Sequence, residues 1–203
     1  ESEIQRCKVA GYKTVKMKVG RSELKEDIQR VRLVRRQWTD VEIRLDANRA
    51  WTLTEAKEIL SALVDCNLAY CEEPLQNPQE LPQLKKFCEV NLALDETLWK
   101  DPELAKSIQN NIHAYILKPS ILGGWQETLK WINSAKSTGI LPVLSSSFES
   151  GIGHLWIALL ASCYVSKAPA VGLDTAFWFE NDILKPSFVR RIQNGRLILP
   201  PKW

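Results

Sequence analysis

The stretch EIRLDANRAW (residues 42–51) has the pattern of a short apolar strand that ends on an acid, Asp46. Four other stretches end a short apolar run on a charged residue: KTVKMKVG (13–20) on Lys18, LAYCEEPL (68–75) on Glu72, LALDETL (92–98) on Asp95 and HAYILKPS (113–120) on Lys118. In a parallel (β/α) barrel the C-terminal ends of all strands open on one face, which carries the chemistry. The sequence therefore predicts that these charged residues gather on one face of a barrel.

Short apolar runs alternate with amphipathic helical stretches along almost the whole chain. The predicted strands end near residues 18, 46, 72, 95, 118, 145 and 174, the last two in LPVLSS and AVGLDT. Such alternation indicates a parallel sheet. A doubly wound nucleotide-binding sheet would show a glycine-rich first turn or a P-loop, and neither is present. A closed barrel needs eight strands, so we expect the first strand to precede residue 1.

Helix signals fill the gaps between the predicted strands. Thr52 and Glu55 have the spacing of a capping box that opens a helix over residues 53–64. Ser22 is predicted to cap the helix that follows KTVKMKVG. Gly139 is predicted to end the helix that starts near Trp125. After residue 174 the pattern weakens, which predicts an irregular or short-stranded tail.

Composition limits the classes of partner. The chain has 203 residues, 45% of them apolar and 25% charged, which is typical of one soluble globular domain. A net charge of +3 is too small to indicate nucleic acid or membrane lipid as a partner. No apolar run reaches the length of about 18 residues that a membrane helix needs. The five cysteines include no C-x-x-C pair, so a cytoplasmic protein with reduced thiols is expected.

The three acids at strand ends indicate a metal site. Asp46, Glu72 and Asp95 would repel one another strongly at one face unless a cation lay between them. The residues alone leave open whether Glu72 or its neighbour Glu73 is the ligand on the third strand. Oxygen ligands without a nearby cluster of His or Cys favour Mg²⁺. A single acid at a strand end is well explained as a cap of the following helix. Three acids on consecutive strands favour the metal site instead.

Two lysines on the first predicted strand indicate an acid/base group. Lys16 and Lys18 are two residues apart, so both side chains point to the same side of the strand. If that side is the barrel interior, each ammonium should lower the pKa of the other from about 10.4. A lysine with a pKa near neutrality can act as a base. The alternative is an exposed edge strand protected by lysines, which the apolar neighbours Val15 and Val19 disfavour.

The ordered motifs resemble those of the enolase superfamily, and most closely its muconate-lactonising subgroup. They are Lys16-Met17-Lys18, Asp46-Ala47-Asn48 with Trp51, Glu72-Glu73-Pro74, Asp95-Glu96-Thr97 and Lys118-Pro119. Within that subgroup, ILKPSILGG and LSSSFESGIG resemble the o-succinylbenzoate synthases. The resemblance implies that residues 1–203 are the C-terminal part of a modified TIM barrel. Its first strand and an α+β capping domain, roughly 100 or more residues, would precede this chain.

The resemblance also implies roles for individual residues. Asp46, Glu72 and Asp95 would bind Mg²⁺, with Mn²⁺ as a substitute. The family pattern makes the first Glu of Glu72-Glu73-Pro74 the ligand. Lys18 would be the acid/base residue and Lys16 its electrostatic partner. Lys118, across the barrel from Lys18, would be a second base or a charge that stabilises the enediolate. The remaining implied residues orient the metal ligands or bind the second carboxylate of the substrate: Asn48, Glu73 and Glu96 for the first role, and Ser145, Ser146, Ser147 and Gly151 for the second.

The reaction implied is a dehydration, a carbon–oxygen lyase step in menaquinone or phylloquinone synthesis. A base takes the proton α to a carboxylate of a small-molecule substrate, and water is eliminated to give o-succinylbenzoate. One alternative is an N-acylamino acid racemase or dipeptide epimerase that uses Lys18 and Lys118 as opposed bases. The other is a non-catalytic barrel whose acids are structural, which would show no specific divalent-cation binding.

Overall fold

The structure, a computed structural model, describes residues 2–165, 169–185 and 187–199. The chain divides into two compact units. The first unit comprises residues 13–115, and the second unit comprises residues 1–12 together with 116–203. The second unit begins with helix α1 (Ser2–Val9).

The first unit contains a parallel sheet whose strands pair in their chain order. They are β1 (Thr14–Lys18), β2 (Glu42–Asp46), β3 (Leu68–Glu72), β4 (Leu92–Leu94) and the first half of β5 (Ala114–Leu117). The register pairs Lys18 with Asp46, and Asp46 with Glu72. The charged ends of three neighbouring strands therefore lie level with one another at one edge of this sheet.

Helices connect these strands in the first unit, all of which the structure describes. They are α2 (Leu24–Gln37), α3 (Leu53–Ala62), α4 (Leu81–Phe87), α5 (Glu96–Lys100) and α6 (Pro102–Ser107). Short 3₁₀ turns occur at Val64–Cys66, Pro78–Glu80 and Gln109–Asn111. The βα alternation predicted for this part of the chain is confirmed.

The predicted capping box at α3 is confirmed. Glu55 N donates to Thr52 Oγ1 at 3.3 Å, and Thr52 N donates to Glu55 Oε2 at 2.8 Å. The predicted cap of α2 by Ser22 is wrong, because the residue before that helix is Glu23 and its side chain makes no capping hydrogen bond. The buried carboxylate of Asp27 instead accepts from Gly20 N at 2.6 Å and fixes the turn that leads into α2.

The two-residue period of the strands separates the apolar core from the charged side chains. On β2, Ile43 and Leu45 are completely buried. The alternate residues Arg44 and Asp46 are buried as well, but on the opposite side of the strand. The Arg44 guanidinium pairs with Glu42 Oε1 at 2.8 Å and lies over the ring of Tyr70 on β3, 5.1 Å from the ring centroid.

The second unit contains the end of β5 and the remaining elements. They are α7 (Pro119–Leu122), α8 (Trp125–Thr138), β6 (Leu141–Leu144), α9 (Gly151–Tyr164), 3₁₀ helices at Asp174–Trp178 and Phe188–Arg191, and the short hairpin β7 (Ile192–Gln193) and β8 (Arg196–Leu197). Gly139 ends α8 in a left-handed conformation, as predicted. The irregular or short-stranded tail predicted after residue 174 is also confirmed over the described residues.

The predicted seventh strand, AVGLDT, is wrong as a strand. Only Gly172 pairs with the sheet, through an isolated parallel bridge to Ser145. Gly172 N donates to Leu144 O at 3.0 Å, and Ser146 N donates to Gly172 O at 2.8 Å. Pairing goes no further because the chain turns into a 3₁₀ helix at Asp174, and glycine weakens an extended run.

No helix within the described ranges is long and apolar enough to span a membrane.

Candidate active site

Two lysine ammoniums meet two buried carboxylates at the C-terminal edge of the first-unit sheet. Lys16 Nζ lies 2.9 Å from Asp46 Oδ2 and donates to both carboxylate oxygens of Glu72 at 3.2 Å. Lys18 Nζ lies 3.4 Å from Asp46 Oδ2. Asp46 and Glu72 are 1% and 0% exposed, whereas the Lys18 side chain is 51% exposed. A buried carboxylate needs such compensation, because an isolated charge in the interior is very costly.

The neighbouring carboxylates raise the pKa of Lys16, whereas the sequence predicted that it would be lowered. Burial alone would lower the pKa of Lys16, but the Glu72 and Asp46 carboxylates outweigh burial and raise it. Burial alone would raise the pKa of Asp46, but the Lys16 ammonium lowers it. The expectation that two neighbouring lysines lower the pKa of Lys16 is therefore wrong for this arrangement. Attraction to the carboxylates is stronger than repulsion between the two ammoniums.

The donor set fits a hard divalent cation by its chemistry. Asp95, 2% exposed, also raises the pKa of Lys16, so all three predicted ligands act on this one ammonium. In the part of the chain that the structure describes, no three acidic, His or Cys side chains are grouped closely enough to hold a metal ion as positioned. The ammonium of Lys16 is the cation between Asp46 and Glu72. Assignment of Mg²⁺ to the three carboxylates stays a prediction.

Asn48 and Glu96 extend the cluster. Lys18 Nζ donates to Asn48 Oδ1 at 2.9 Å, and Asn48 Nδ2 donates to Glu96 Oε1 at 3.2 Å. Asn48 N also donates to Asp46 Oδ1 at 3.2 Å. The second carboxylate oxygen of Glu96 is buried and has no hydrogen-bond partner among the described residues. An unpaired buried acceptor of this kind is costly, which is consistent with a site that a cation would complete.

Glu73 has a structural role that positions Asp95. Its Oε1 accepts from Asp95 N at 2.9 Å and from Thr97 N at 2.7 Å. Its Oε2 accepts from Thr97 Oγ1 at 2.9 Å and from Arg49 Nε at 3.0 Å. The predicted difference between the two adjacent acids is consistent with this, because Glu72 contacts Lys16 and Glu73 holds the turn after β4. Sequence reasoning missed Arg49 and Thr97, although both lie directly beside predicted site residues.

Three residues of this site have a left-handed backbone. The φ angles are 46° at Asn48, 60° at Arg49 and 41° at Glu73. Non-glycine residues rarely adopt this region, and such conformations cluster at functional sites. The turns after β2 and β3 are held in this form by their own hydrogen bonds, including Arg49 N to Glu73 O at 2.7 Å.

The second unit contains the other predicted site residues. Lys118 is half-buried at the N-terminus of α7, and its predicted opposition to Lys18 stays a prediction. Ser145 and Ser146 are buried, and the hydroxyls of both contact Gly172 O, at 3.4 Å and 2.9 Å. Gly151 N donates to Asp182 Oδ1 at 3.1 Å. As positioned, the N–H of Gly151 is therefore not free for a substrate carboxylate.

A family model described as enolase C-terminal domain-like matches residues 1–202. The chain therefore belongs to this family, and the fold class predicted from the sequence is confirmed. A dipeptide epimerase from Cytophaga hutchinsonii, solved with Mg and the dipeptide D-Ala-L-Val, superposes with a TM-score of 0.81 at 28% identity. That match covers 89% of this chain and 50% of the epimerase.

Two curated relatives are similar in sequence. The o-succinylbenzoate synthase of Escherichia coli is 29% identical over 184 residues, which are 89% of this chain and 55% of the relative. The chloroplastic protein PHYLLO of Arabidopsis thaliana is 32% identical over 195 residues, covering 86% of this chain and 11% of that protein. The chain thus spans about half the length of the bacterial enzyme.

Proposed function

We propose that the chain carries the catalytic residues of a Mg²⁺-dependent dehydratase of the o-succinylbenzoate synthase type. The observation that carries this proposal is the contact of the β1 lysines with the buried carboxylates of Asp46 and Glu72. The identity of 29% to the E. coli synthase over 89% of the chain supports the same reaction. The substrate would be a small hydroxycyclohexadiene carboxylate with a succinyl side chain.

Lys18 is the proposed acid/base residue, because it combines an exposed ammonium with a fixed position. Its Nζ is held by Asn48 Oδ1 at 2.9 Å and Asp46 Oδ2 at 3.4 Å. As the neutral amine, Lys18 would take the proton α to the substrate carboxylate. The same proton would then pass from Nζ to the departing hydroxyl, which leaves as water. The product ring becomes aromatic, so the first proton transfer is the demanding step.

Asp46, Glu72 and Asp95 are the residues that would hold Mg²⁺. When bound, the ion supplies positive charge that offsets the second negative charge developing on the substrate carboxylate. Lys16 adds a positive charge beside two of these carboxylates. Lys118 is proposed as a further positive charge or a second base. A capping domain of the same protein is proposed to cover the substrate and exclude water.

A second candidate is a dipeptide epimerase or N-acylamino acid racemase. The similarity to the C. hutchinsonii epimerase, at 28% identity and a TM-score of 0.81, favours it. Such an enzyme would use Lys18 and Lys118 as opposed bases on one α-carbon. It would therefore exchange the α-proton of an amino-acid derivative for deuterium in ²H₂O, whereas a dedicated dehydratase would not.

The test compares both substrate classes in the full-length protein. We expect Mg²⁺-dependent formation of o-succinylbenzoate, detected by mass spectrometry, and its loss when EDTA is added. We expect no α-deuteration of dipeptides or N-succinyl amino acids in ²H₂O. Deuteration without dehydration would support the epimerase or racemase activity instead. Dehydration that continues unchanged after EDTA is added would contradict the proposed dependence on Mg²⁺.

A further inference from the structure

The turn that bears Lys118 is held by hydrogen bonds on both sides of that residue. Before Lys118, Leu117 O accepts from Ser145 N at 2.9 Å, where β5 pairs with β6. After Lys118, Ser120 Oγ donates to Glu149 Oε1 at 2.5 Å. Ser145 and Glu149 both belong to the segment that connects β6 to α9. Lys118 therefore lies between two attachments to the same segment.

The backbone of α7 connects Ser120 to Lys118. Lys118 O accepts from Ile121 N at 3.0 Å and from Leu122 N at 2.9 Å, so these hydrogen bonds enclose Ser120 within a single turn. Pro119 adds stiffness to that turn, because its ring fixes φ. A hydrogen bond at Ser120 thus restrains the backbone from which the Lys118 side chain extends.

The side chain of Glu149 is closely packed and only partly satisfied. A methyl group at Gly153 would lie 2.6 Å from Cβ of Glu149, so a larger residue at that position of α9 would displace it. Oε2 of Glu149 is buried and has no hydrogen-bond partner among the described residues. A buried acceptor without a partner is costly and needs an explanation other than stability. The hydrogen bond from Ser120 to Oε1 directs that explanation to the turn of Lys118.

We propose that Glu149 is a positioning residue for Lys118 and acts through the Ser120 hydroxyl and the backbone of α7. This role rests on the proposed function, in which Lys118 is a further positive charge or a second base. Either task needs the ammonium at a defined distance from the reacting carbon, and a displacement of about 1 Å can cost about 100-fold in rate. Glu149 contacts no reacting atom in this proposal.

Hydrogen–deuterium exchange of the full-length protein tests the structural link without any activity. Ser120→Ala and Glu149→Met each remove the hydrogen bond, and each should speed exchange in residues 119–124 about 10-fold, with residues 128–138 of α8 unchanged. Glu149→Gln should exchange like the wild type, because its amide oxygen can still accept from Ser120. Ser120 is exposed, so Ser120→Ala decides the question if Glu149→Met fails to fold. Unchanged exchange in residues 119–124 would overturn the link.

A double-mutant cycle tests the effect on Lys118. Glu149→Met should lower kcat for dehydration about 10- to 100-fold with KM within about 3-fold, and Glu149→Gln should restore kcat. In the Lys118→Ala background, Glu149→Met should change kcat by less than about 2-fold, because the residue that it positions is gone. Ser137→Ala is the control, since this exposed hydroxyl donates to Ser134 O of its own helix.

The outcomes separate this inference from the proposed function. Equal effects of Glu149→Met with and without Lys118 would show that Glu149 does not act through Lys118. A Lys118→Ala enzyme with normal kcat would overturn the proposed role of Lys118 and the role of Glu149 with it. If the wild type exchanges the α-proton of amino-acid derivatives instead of dehydrating, the same cycle is measured on that exchange. Absence of both activities would overturn the proposed function and this inference together.

Discussion

Nζ of Lys16 lies 2.9 Å from Oδ2 of Asp46, at the edge of the sheet where β1 and β2 end. The carboxylate is almost completely buried, and the lysine ammonium neutralises it from the neighbouring strand. Glu72, at the end of β3, shares the same ammonium at 3.2 Å. The first-unit sheet thus presents a concentrated negative charge that requires a cation, and this requirement underlies the predictions for the metal and for the lysines.

The first prediction concerns Mg²⁺ binding. Asp95→Asn removes one of the three carboxylates, and we expect Mg²⁺ affinity to fall by more than about 10-fold, since even partners outside the coordination shell are worth that much. Activity should fall with it, while far-UV circular dichroism stays unchanged. Isothermal titration calorimetry measures the affinity. Asp40→Asn, a change at an exposed residue, is the matched control. Equal Mg²⁺ binding by both variants would show that Asp95 is not a ligand.

The second prediction separates proton transfer from metal binding. Lys18→Ala should lower kcat by about 10²- to 10⁴-fold, the usual contribution of general acid–base catalysis. Mg²⁺ binding should persist, because Asp46, Glu72 and Asp95 remain. Lys25→Ala, an exposed lysine on α2, serves as the control. A Lys18→Ala enzyme with nearly normal kcat would show that another residue is the base.

The third prediction concerns the stability of the turn after β4. Glu73→Gln removes the charge that pairs with Arg49, and its amide nitrogen cannot accept hydrogen bonds. We expect a loss of about 3–5 kcal/mol in the free energy of unfolding, the range for breaking a buried pair from one side. Glu103→Gln breaks the exposed pair with Lys106 and should cost less than about 1 kcal/mol. Urea denaturation measures both, and equal losses would contradict the structural role of Glu73.

The fourth prediction concerns pH and Asp182. Burial alone would raise the pKa of Asp182, but hydrogen bonds from the backbone N–H groups of Phe188, Leu184 and Gly151 lower it. A lowered pKa in the folded state stabilises the protein above the unfolded pKa of about 3.9, and this contribution disappears as the pH falls through the folded pKa.

The comparison of wild type with Asp182→Asn tests that prediction. The difference in their free energies of unfolding should be constant near neutral pH and should shrink as the pH falls below about 4. Urea denaturation at a series of pH values measures it. A difference that grows in acid would mean that the pKa of Asp182 is raised rather than lowered.

Local patterns predicted much of the fold. The strand ends at Lys18, Asp46 and Glu72 could be placed because each apolar run stops at a charged residue. The capping box of Thr52 and Glu55 depends only on a three-residue spacing. Each of these signals spans only a few neighbouring residues, so it can be recognised from the sequence alone.

Features that depend on distant partners could not be predicted in the same way. The pKa of Lys16 is set by carboxylates on two other strands, and the sequence does not give their distances. AVGLDT has the apolar pattern of a strand, but its pairing is limited to Gly172 because a 3₁₀ helix begins two residues later. Glu73 lies beside a predicted ligand, and only the structure shows that it supports Asp95 N and Thr97 N.

The left-handed turns at Asn48, Arg49 and Glu73 imply a conflict between robustness and activity. Each strained residue costs about 1–3 kcal/mol, and glycine would relieve that strain. Glycine would also delete the side chains that hold Lys18 and the turn bearing Asp95. At Arg49 and Glu73 the loss of their buried ion pair, about 3–5 kcal/mol, outweighs the relief of strain. A screen that selects only for thermal tolerance should therefore enrich glycine at Asn48, whose side chain holds Lys18, and yield a hardier protein with a poorly ordered catalytic edge.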